Sequence, residues 1–302
     1  MVALMKIKCN IIYGIVKYQE FPPSFQTTLK SLDDMARLGF KYVELDVADE
    51  TLNDFLNGKD KLRKVCQEKG LIVANVTAYF PDLFSIDSVR REKALKNFLK
   101  TVELASYLDA DLIMTDSFPP PIEMEAQYLP DKNLSALTPK RVRIPANFDW
   151  NKCWNTFVEG IRQCDKIAEQ EGHRFCIEPV PGHIIATTDG MLRLMDAVNS
   201  ENFGAVLDVA SAYYQREVVP LSILKLGKRL FMLHVSDNDG ILNYHLCPGE
   251  GSIDWNEIVN ALKMIRFEDY VAVDVRAPPE IITEKYKKAK EFCEKSFAVY
   301  LD

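Results

Sequence analysis

The sequence predicts an α/β fold, a single (β/α)8 TIM barrel in which eight parallel strands close into a ring covered by helices. Three observations predict it. Short β-rich runs alternate with amphipathic stretches along the 302 residues, which is the pattern of a parallel sheet. The runs are almost continuously apolar, as in strands covered on both faces. They number eight, which favours a closed barrel over a doubly wound sheet.

The predicted strands are the β-rich runs at 7–14, 42–47, 71–79, 112–117, 175–180, 203–210, 230–237 and 270–276. Helices are predicted where apolar residues recur at helical spacing, at 24–39, 60–70, 88–108, 150–172, 254–265 and 279–301. No glycine-rich dinucleotide or phosphate-loop motif follows a strand. One domain, residues 1–302, would therefore hold the whole barrel.

The segment 117–149 interrupts this alternation after the fourth strand. It contains six prolines and has no clear periodicity. Loops of this length are usually functional or disordered. Because the segment leaves the carboxyl end of a strand, one interpretation is a lid over the barrel mouth. Disorder or a subunit contact is an equally good interpretation.

Composition limits the classes of function. The chain is 47% hydrophobic and 27% charged, with a net charge of −7, so we expect a soluble protein that does not bind nucleic acid. Its seven cysteines are scattered and lack CxxC spacing, which argues against a disulfide framework or a structural zinc site. Neither a convincing signal peptide nor an apolar run of membrane-spanning length is present, so we expect a cytoplasmic protein without a membrane partner.

Polar residues stand at the carboxyl ends of several predicted strands, where the active site of a (β/α)8 barrel lies. Grouped carboxylates repel one another unless a cation lies between them. Three carboxylates and one imidazole suit Mn²⁺, Mg²⁺, Co²⁺ or Zn²⁺. Taken singly, each residue is more often a helix cap or an ion-pair partner, and for Glu44 a structural ion pair is at least as good an interpretation. The strand-end residues are Glu44, Asp46, Glu178, Asp208, His234, Asp274 and Arg276.

Five motifs carry a resemblance to a known family. They are "CIEPVPGH", "GAVLDVASAY", "LHVSDNDG", "HLCPGEGSIDW" and "VAVDVR", and the likeness is strongest from 172 to 276. In their order and spacing the chain resembles the xylose isomerase-like TIM-barrel superfamily of sugar (phosphate) isomerases and epimerases. Inosose dehydratases and endonuclease IV are also members. The resemblance implies that Glu178, Asp208 and His234 are metal ligands, and that Asp274 replaces a glutamate ligand.

The resemblance also implies a function. It favours a divalent-metal-dependent isomerase or epimerase of a sugar, sugar phosphate or keto-polyol. Glu178 and Asp274 would be the catalytic pair that moves a proton next to the carbonyl. An inosose-type dehydratase fits the same residues, because a β-elimination needs one base and one acid. The small-molecule enzymes of this family also suggest a homodimer or homotetramer.

Two further interpretations remain. An endonuclease IV-like phosphodiesterase needs three metals and many more histidines than the four in this chain. An inactive sugar-binding barrel is suggested by three departures from the family pattern, of which Asp274 in place of a glutamate is the first. Ser211 stands where many members have a substrate-contacting histidine, and Gly240 where ketose epimerases often have an arginine.

Further side chains are predicted to contact the substrate. The loop histidines would lie at the rim of the mouth. Asp237 is interpreted either as the hydrogen-bond partner of His234 or as a cap of the following turn. Because a protonated imidazole cannot bind a metal, we expect metal binding to fade below about pH 6. The candidate substrate-binding residues are His183, Ser211, Asp237, His245, Arg276 and Glu44.

Overall fold

Residues 5–127 and 138–298 are described by the structure, which is a computed structural model. Within them, parallel strands close into an eight-stranded barrel, and a separate antiparallel hairpin lies between the fourth and fifth barrel strands. The predicted (β/α)8 barrel with a long insertion after strand four is confirmed. The barrel strands are β1 (Lys6–Cys9), β2 (Tyr42–Ala48), β3 (Ile72–Tyr79), β4 (Leu112–Asp116), β7 (Arg174–Glu178), β8 (Phe203–Asp208), β9 (Leu230–Val235) and β10 (Tyr270–Val273), and the hairpin strands are β5 (Glu123–Gln127) and β6 (Thr138–Arg143).

Helices connect the strands and cover the outside of the barrel. Several begin at residues whose side chains cap the first turn, such as Ser24, Asp87, Asp149 and Asp254. The part of the chain that the structure describes includes no helix both long enough and apolar enough to cross a membrane. The helices are α1 (Ile12–Tyr18), α2 (Phe25–Arg37), α3 (Leu52–Lys69), α4 (Ser88–Tyr107), α5 (Trp150–Gln170), α6 (Thr188–Val198), α7 (Val209–Tyr214), α8 (Val219–Leu226), α9 (Trp255–Ile265) and α10 (Ile282–Ala298).

The first strand is shorter than predicted. The apolar run 7–14 was expected to be one strand, but β1 ends at Cys9 and α1 begins at Ile12. Asn10 separates them, because its side-chain oxygen accepts a hydrogen bond from the backbone N–H of Ile12 at 2.9 Å. This local bond starts a turn where an apolar pattern alone favours continued strand.

The sixth predicted strand also ends early. The run 203–210 was expected to be extended throughout, but β8 ends at Asp208 and α7 follows directly. The Asp208 side chain caps α7 by accepting a hydrogen bond from the backbone N–H of Ser211. Helices α6, α7 and α8 were not predicted, and α7 is too short for its periodicity to be recognised in the sequence.

The barrel interior is a column of side chains on one face of each strand. Side chains alternate along a strand, so residues two apart share a face. On β4 and β7 to β10, an apolar interior cluster includes the residue that stands two positions before the acidic or histidine side chain at the mouth. The interior face of these five strands is therefore apolar at mid-barrel and polar at the carboxyl end. The cluster members in this register are Met114, Cys176, Val206, Met232 and Ala272.

Candidate metal centre and active site

Four polar side chains stand at one level of the barrel mouth. Glu178 and Asp208 are the last residues of β7 and β8, and Asp274 follows β10 directly. His234 on β9 pairs in register with Asp208 on one side and with Ala272 on the other. The parallel register therefore brings the four predicted ligands to the same end of the sheet.

The side chains converge on a small volume. Nδ1 of His234 lies 3.3 Å from Oε2 of Glu178 and 3.7 Å from Oδ2 of Asp274. Glu178, Asp208 and His234 each present one ligand atom within 4.8 Å of the others, and so do Asp208, His245 and Asp274. The convergence expected from the sequence is present in the structure, and it includes a second histidine.

The donor set fits a divalent cation. His234 is 2% exposed, yet neither of its ring nitrogens has a hydrogen-bond partner among the described residues. Oδ1 of Asp274 is buried and lacks a partner there as well. Buried polar atoms without partners are costly, and a bound ion would satisfy one ring nitrogen of His234 and Oδ1 of Asp274. Carboxylate and imidazole donors are ligands that Mn²⁺, Co²⁺ and Zn²⁺ accept.

The carboxylates and the imidazoles perturb one another. Burial alone would lower the pKa of His234, but Glu178 and Asp274 raise it to about 9. Burial raises the pKa of Glu178, and the nearby His234 only partly opposes this. For Asp274 the effect of burial is outweighed by His245, Arg276 and His234, which hold the pKa of its carboxyl below the ordinary value. The two predicted catalytic carboxylates therefore differ: Glu178 binds a proton more readily than Asp274.

His245 was expected at the rim, but it is 4% exposed and lies among the carboxylates. Its Nδ1 lies 3.4 Å from Oδ2 of Asp274 and 3.6 Å from Oδ2 of Asp208. The hydroxyl of Ser236 is 3.1 Å from the same nitrogen. These carboxylates raise the pKa of His245, although burial alone would lower it.

Asp237 is a structural residue of the loop after β9. Its carboxylate accepts hydrogen bonds from the backbone N–H groups of Asn238, Gly249 and Ile253 and from the indole Nε1 of Trp255. This arrangement matches the interpretation of Asp237 as a cap of the following turn. The arrangement does not fit the two alternatives, in which Asp237 is the hydrogen-bond partner of His234 or contacts the substrate. Asp237 is 1% exposed, and both of its carboxylate oxygens already accept hydrogen bonds from the loop.

Glu44 lies below the mouth in a buried ion pair. Its Oε2 is 2.5 Å from Nζ of Lys8, and the same Nζ is 2.5 Å from the side-chain oxygen of Asn75. Lys8 is fully buried and Glu44 is 3% exposed. The ion pair agrees with the structural alternative for Glu44, because an unpaired buried lysine would be strongly destabilising. The substrate contact of Glu44 stays a prediction.

Two aspartates extend the acidic surface of the mouth. Asp116 ends β4 and pairs in register with Glu178. Asp46 on β2 is close enough to Asp116 for their negative charges to repel each other. Burial and the neighbouring Glu178 raise the pKa of Asp116 to about 7. Asp116 was not among the predicted site residues, although it is the last residue but one of the run "LIMTDS", much as acidic residues stand at the ends of β7 and β8.

Three predicted substrate contacts lie beside the metal-ligand candidates. Nδ1 of His183 and Nε of Arg276 are buried and have no hydrogen-bond partner among the described residues. Burial lowers the pKa of His183 to about 4, so this ring is neutral at neutral pH. The hydroxyl of Ser211 accepts a hydrogen bond from Asn243 at 3.2 Å. His183 and Arg276 can still donate to a polar ligand.

Sequence comparison decides the family. Residues 32–295 match the family described as xylose isomerase-like TIM barrel. The chain belongs to this family. Because the matched region covers most of the sequence and the fold is the same closed barrel, the resemblance inferred from the five motifs is confirmed.

Curated members of the family give partial alignments. Fructoselysine 3-epimerase of Escherichia coli O157:H7 is 27% identical over 128 residues, which cover 41% of this chain and 46% of that protein. Inosose isomerase of Bacillus subtilis (strain 168) is 31% identical over 144 residues, which cover 44% of this chain and 49% of that protein. The chain thus spans about half the length of these curated relatives.

Solved structures of the family superpose along nearly the whole chain. D-psicose 3-epimerase crystallised in the presence of D-fructose has a TM-score of 0.73 at 18% identity, covering 97% of this chain and 99% of that one. IOLI protein with a bound zinc atom has a TM-score of 0.73 at 19% identity, covering 98% and 99%. At these identities the likeness shows the shared fold.

Gly240 departs from the pattern expected of an epimerase in this family. Its φ is +76°, which favours glycine, and a Cβ placed there would lie 2.8 Å from a guanidinium nitrogen of Arg216. The guanidinium of Arg216, which follows α7, therefore occupies the space next to Gly240. An arginine side chain at position 240 would require Arg216 to move.

The segment predicted as a lid is attached beside the mouth. The hydroxyl of Ser117 donates to the carbonyl of Ile185, and the N–H of Ile184 donates to the carbonyl of Phe118. These bonds join the start of the segment to the loop that carries His183. The hairpin β5–β6 follows, and residues 128–137 of the predicted lid lie outside the described residues. The lid function stays a prediction.

Proposed function

We propose that this chain is a divalent-cation-dependent isomerase or epimerase of a sugar, sugar phosphate or keto-polyol. The observation that carries the proposal is the convergence of Glu178, Asp208, His234 and Asp274 at the mouth, with buried donor atoms that lack partners. Relatives named fructoselysine 3-epimerase and inosose isomerase, and a zinc-containing structural neighbour, support it.

The four side chains would hold the ion. Once bound, a divalent cation supplies positive charge that stabilises a negative oxygen on the substrate while a neighbouring carbon loses its proton. His183 and Arg276 can donate hydrogen bonds that orient the substrate, because each has a buried nitrogen without a partner among the described residues. The carboxylates of Asp46 and Asp116 can accept hydrogen bonds from hydroxyl groups, which suits a polyhydroxylated molecule.

Glu178 and Asp274 are the proposed acid and base. Nδ1 of His234 lies within 4 Å of a carboxylate oxygen of each residue, so both carboxylates lie beside the position that the cation would occupy. In an epimerisation, one carboxylate removes the proton from one face of the carbon, and the other returns a proton to the opposite face. Glu178 has the raised pKa that lets it carry a proton between these steps.

A dehydratase is the second candidate, and the unequal pKa values favour it. The pKa of Glu178 is raised by burial, whereas that of Asp274 is held below the ordinary value by His245 and Arg276. One group that carries a proton and one that stays anionic are the acid and the base that a β-elimination needs. Asp274 is also one methylene shorter than glutamate, which limits its reach to a substrate carbon.

The test is a product analysis with metal-loaded protein. The purified protein is stripped with a chelator, reloaded with Mn²⁺, Co²⁺ or Zn²⁺, and incubated with ketoses, ketose phosphates and inososes. Epimers of the same mass support the first candidate, and products lighter by one water support the second. Asp208→Asn is the control, because asparagine also caps helices and should keep α7 while weakening metal binding. Unchanged substrates across the panel, with metal bound, would contradict both candidates.

A further inference from the structure

The two donor groups at the mouth surround one common space. Asp208 belongs to both groups. A single oxygen, Oδ2 of Asp274, lies 3.7 Å from Nδ1 of His234 and 3.4 Å from Nδ1 of His245. Both imidazoles therefore face the same carboxylate oxygen. An ion bound by this oxygen would have both rings as neighbouring candidate ligands.

The loop after β9 is built to place His245 there. Its neighbour Leu246 forms a two-way backbone bridge with Asp237, with N–O distances of 2.8 and 2.9 Å. The carbonyl of His245 accepts a hydrogen bond from the N–H of Arg276 at 2.7 Å. The loop is thus joined to the ends of both β9 and β10. The buried carboxylate of Asp237 fixes the rest of the loop, so the position of His245 is determined by the fold.

We propose that His245 is a direct ligand of the same cation, so that the centre contains three carboxylates and two imidazoles. This inference rests on the proposed metal-dependent function. It adds a ligand from a loop to the four ligands at strand ends. One ion is favoured over two because Oδ1 of Asp208 is already taken by the N–H of Ser211, at 3.0 Å, leaving one oxygen of Asp208 for the centre.

A second imidazole has a chemical consequence. Nitrogen ligands favour Zn²⁺ and other late first-row ions, whereas sites made of carboxylates and water suit Mg²⁺ and Mn²⁺. His245 therefore determines which ion the centre selects. A role limited to hydrogen bonding with Ser236 would leave ion selectivity unchanged.

The first experiment compares metal affinities by calorimetry with competing chelators. The proteins are the wild type, His245→Gln, His245→Asn and a control, His173→Gln. The control histidine lies at the opposite end of β7 and contacts Ser106. We expect one ion per chain, a Zn²⁺ affinity lowered about 10-fold or more in both His245 variants, and a smaller change for Mn²⁺. Thermal melting without metal checks that the variants are folded.

The second experiment needs no variant. Electron spin echo envelope modulation of the Cu²⁺-loaded wild type counts coordinated imidazoles, and we expect two. A single imidazole, or His245 variants that bind Zn²⁺ as tightly as His173→Gln, would overturn the inference while leaving the metal-dependent function intact. A wild type that binds no divalent ion would instead overturn the proposed function, and this inference with it.

Discussion

At the scale of single residues, His234 determines how the centre responds to pH. An unperturbed histidine loses its proton just below neutrality, but Glu178 and Asp274 raise the pKa of His234 to about 9. A proton on this ring competes with a cation up to that pH. We therefore expect the weakening of metal binding, predicted from the sequence below about pH 6, to extend to higher pH, because the surrounding carboxylates stabilise the protonated ring.

The first prediction follows from this competition. The affinity of the metal-free protein for Zn²⁺ should rise between pH 6 and pH 9, by about tenfold per pH unit for each proton displaced. Calorimetry in buffers of different ionisation enthalpy measures both the affinity and the number of protons released. Equal affinity at both ends of this range would mean that His234 does not bind the metal.

The metal-free protein should show the opposite trend in stability. A group whose pKa is raised by folding adds stability below its unfolded pKa, and this stability is lost as the pH rises through the folded pKa. The stability contributed by Asp116 should be lost as the pH rises from the ordinary pKa of an aspartate to about 7. The stability contributed by His234 should be lost between pH 6.5 and about pH 9. The melting temperature without metal should fall over these ranges. Bound metal should reduce the fall.

Asp237 provides a prediction about stability. Its buried carboxylate accepts four hydrogen bonds that fix the loop carrying His245. Asp237→Ala leaves these donors without a partner and should lower the free energy of unfolding by about 3 kcal/mol. Asp237→Asn, which keeps one acceptor oxygen, should lose less. Urea unfolding of both variants measures this, and a stability of Asp237→Ala equal to the wild type would contradict the structural role.

Sequence reasoning located the site residues on strands better than those on loops. Glu178, Asp208, His234 and Asp274 follow apolar runs, and this rule sufficed to bring them together. Asp116 satisfies the same rule and was overlooked. His245 lies on an irregular loop, and its place depends on the bridge between Leu246 and Asp237, which no local pattern indicates.

At the scale of elements, capping side chains explain why two strands end earlier than predicted. Asn10 ends β1 and Asp208 ends β8, in both cases by accepting a hydrogen bond from a backbone N–H further along the chain. The residues before Asn10 and Asp208 lie in strands and those after them lie in helices, but both sides are equally apolar. The hydrophobic pattern therefore predicted where β1 and β8 begin but not where these two strands end.

The hairpin segment gives a prediction at this scale. Its start is fixed beside His183 by the bonds of Ser117 and Phe118, and its further part is predicted to cover the mouth. Replacing 123–143 by a short glycine–serine linker should raise KM or abolish turnover, because water is then excluded less well. The melting temperature should change little, since the barrel and its helices are retained. Unchanged kinetics would refute the lid function.

At the scale of the whole molecule, the barrel was predictable because alternation and apolar strand composition extend along the chain. The closed order of strands then brings residues distant in sequence to one mouth, where β7 to β10 supply the metal-ligand candidates. β4, which pairs with β7, and β2 supply Asp116 and Asp46. The fold therefore places an acidic region suited to hydroxyl groups next to the proposed metal centre.

The central claim is that this mouth, with a divalent cation, moves a proton on a carbon next to a carbonyl. Solvent exchange tests it most directly. Metal-loaded protein is incubated in D₂O with ketoses, ketose phosphates and inososes, and deuterium at each carbon is followed by NMR. We predict deuterium next to the carbonyl of at least one substrate, with no exchange in the metal-free protein or in Glu178→Gln. Absence of exchange throughout the panel with metal bound, or equal exchange without metal, would contradict the account.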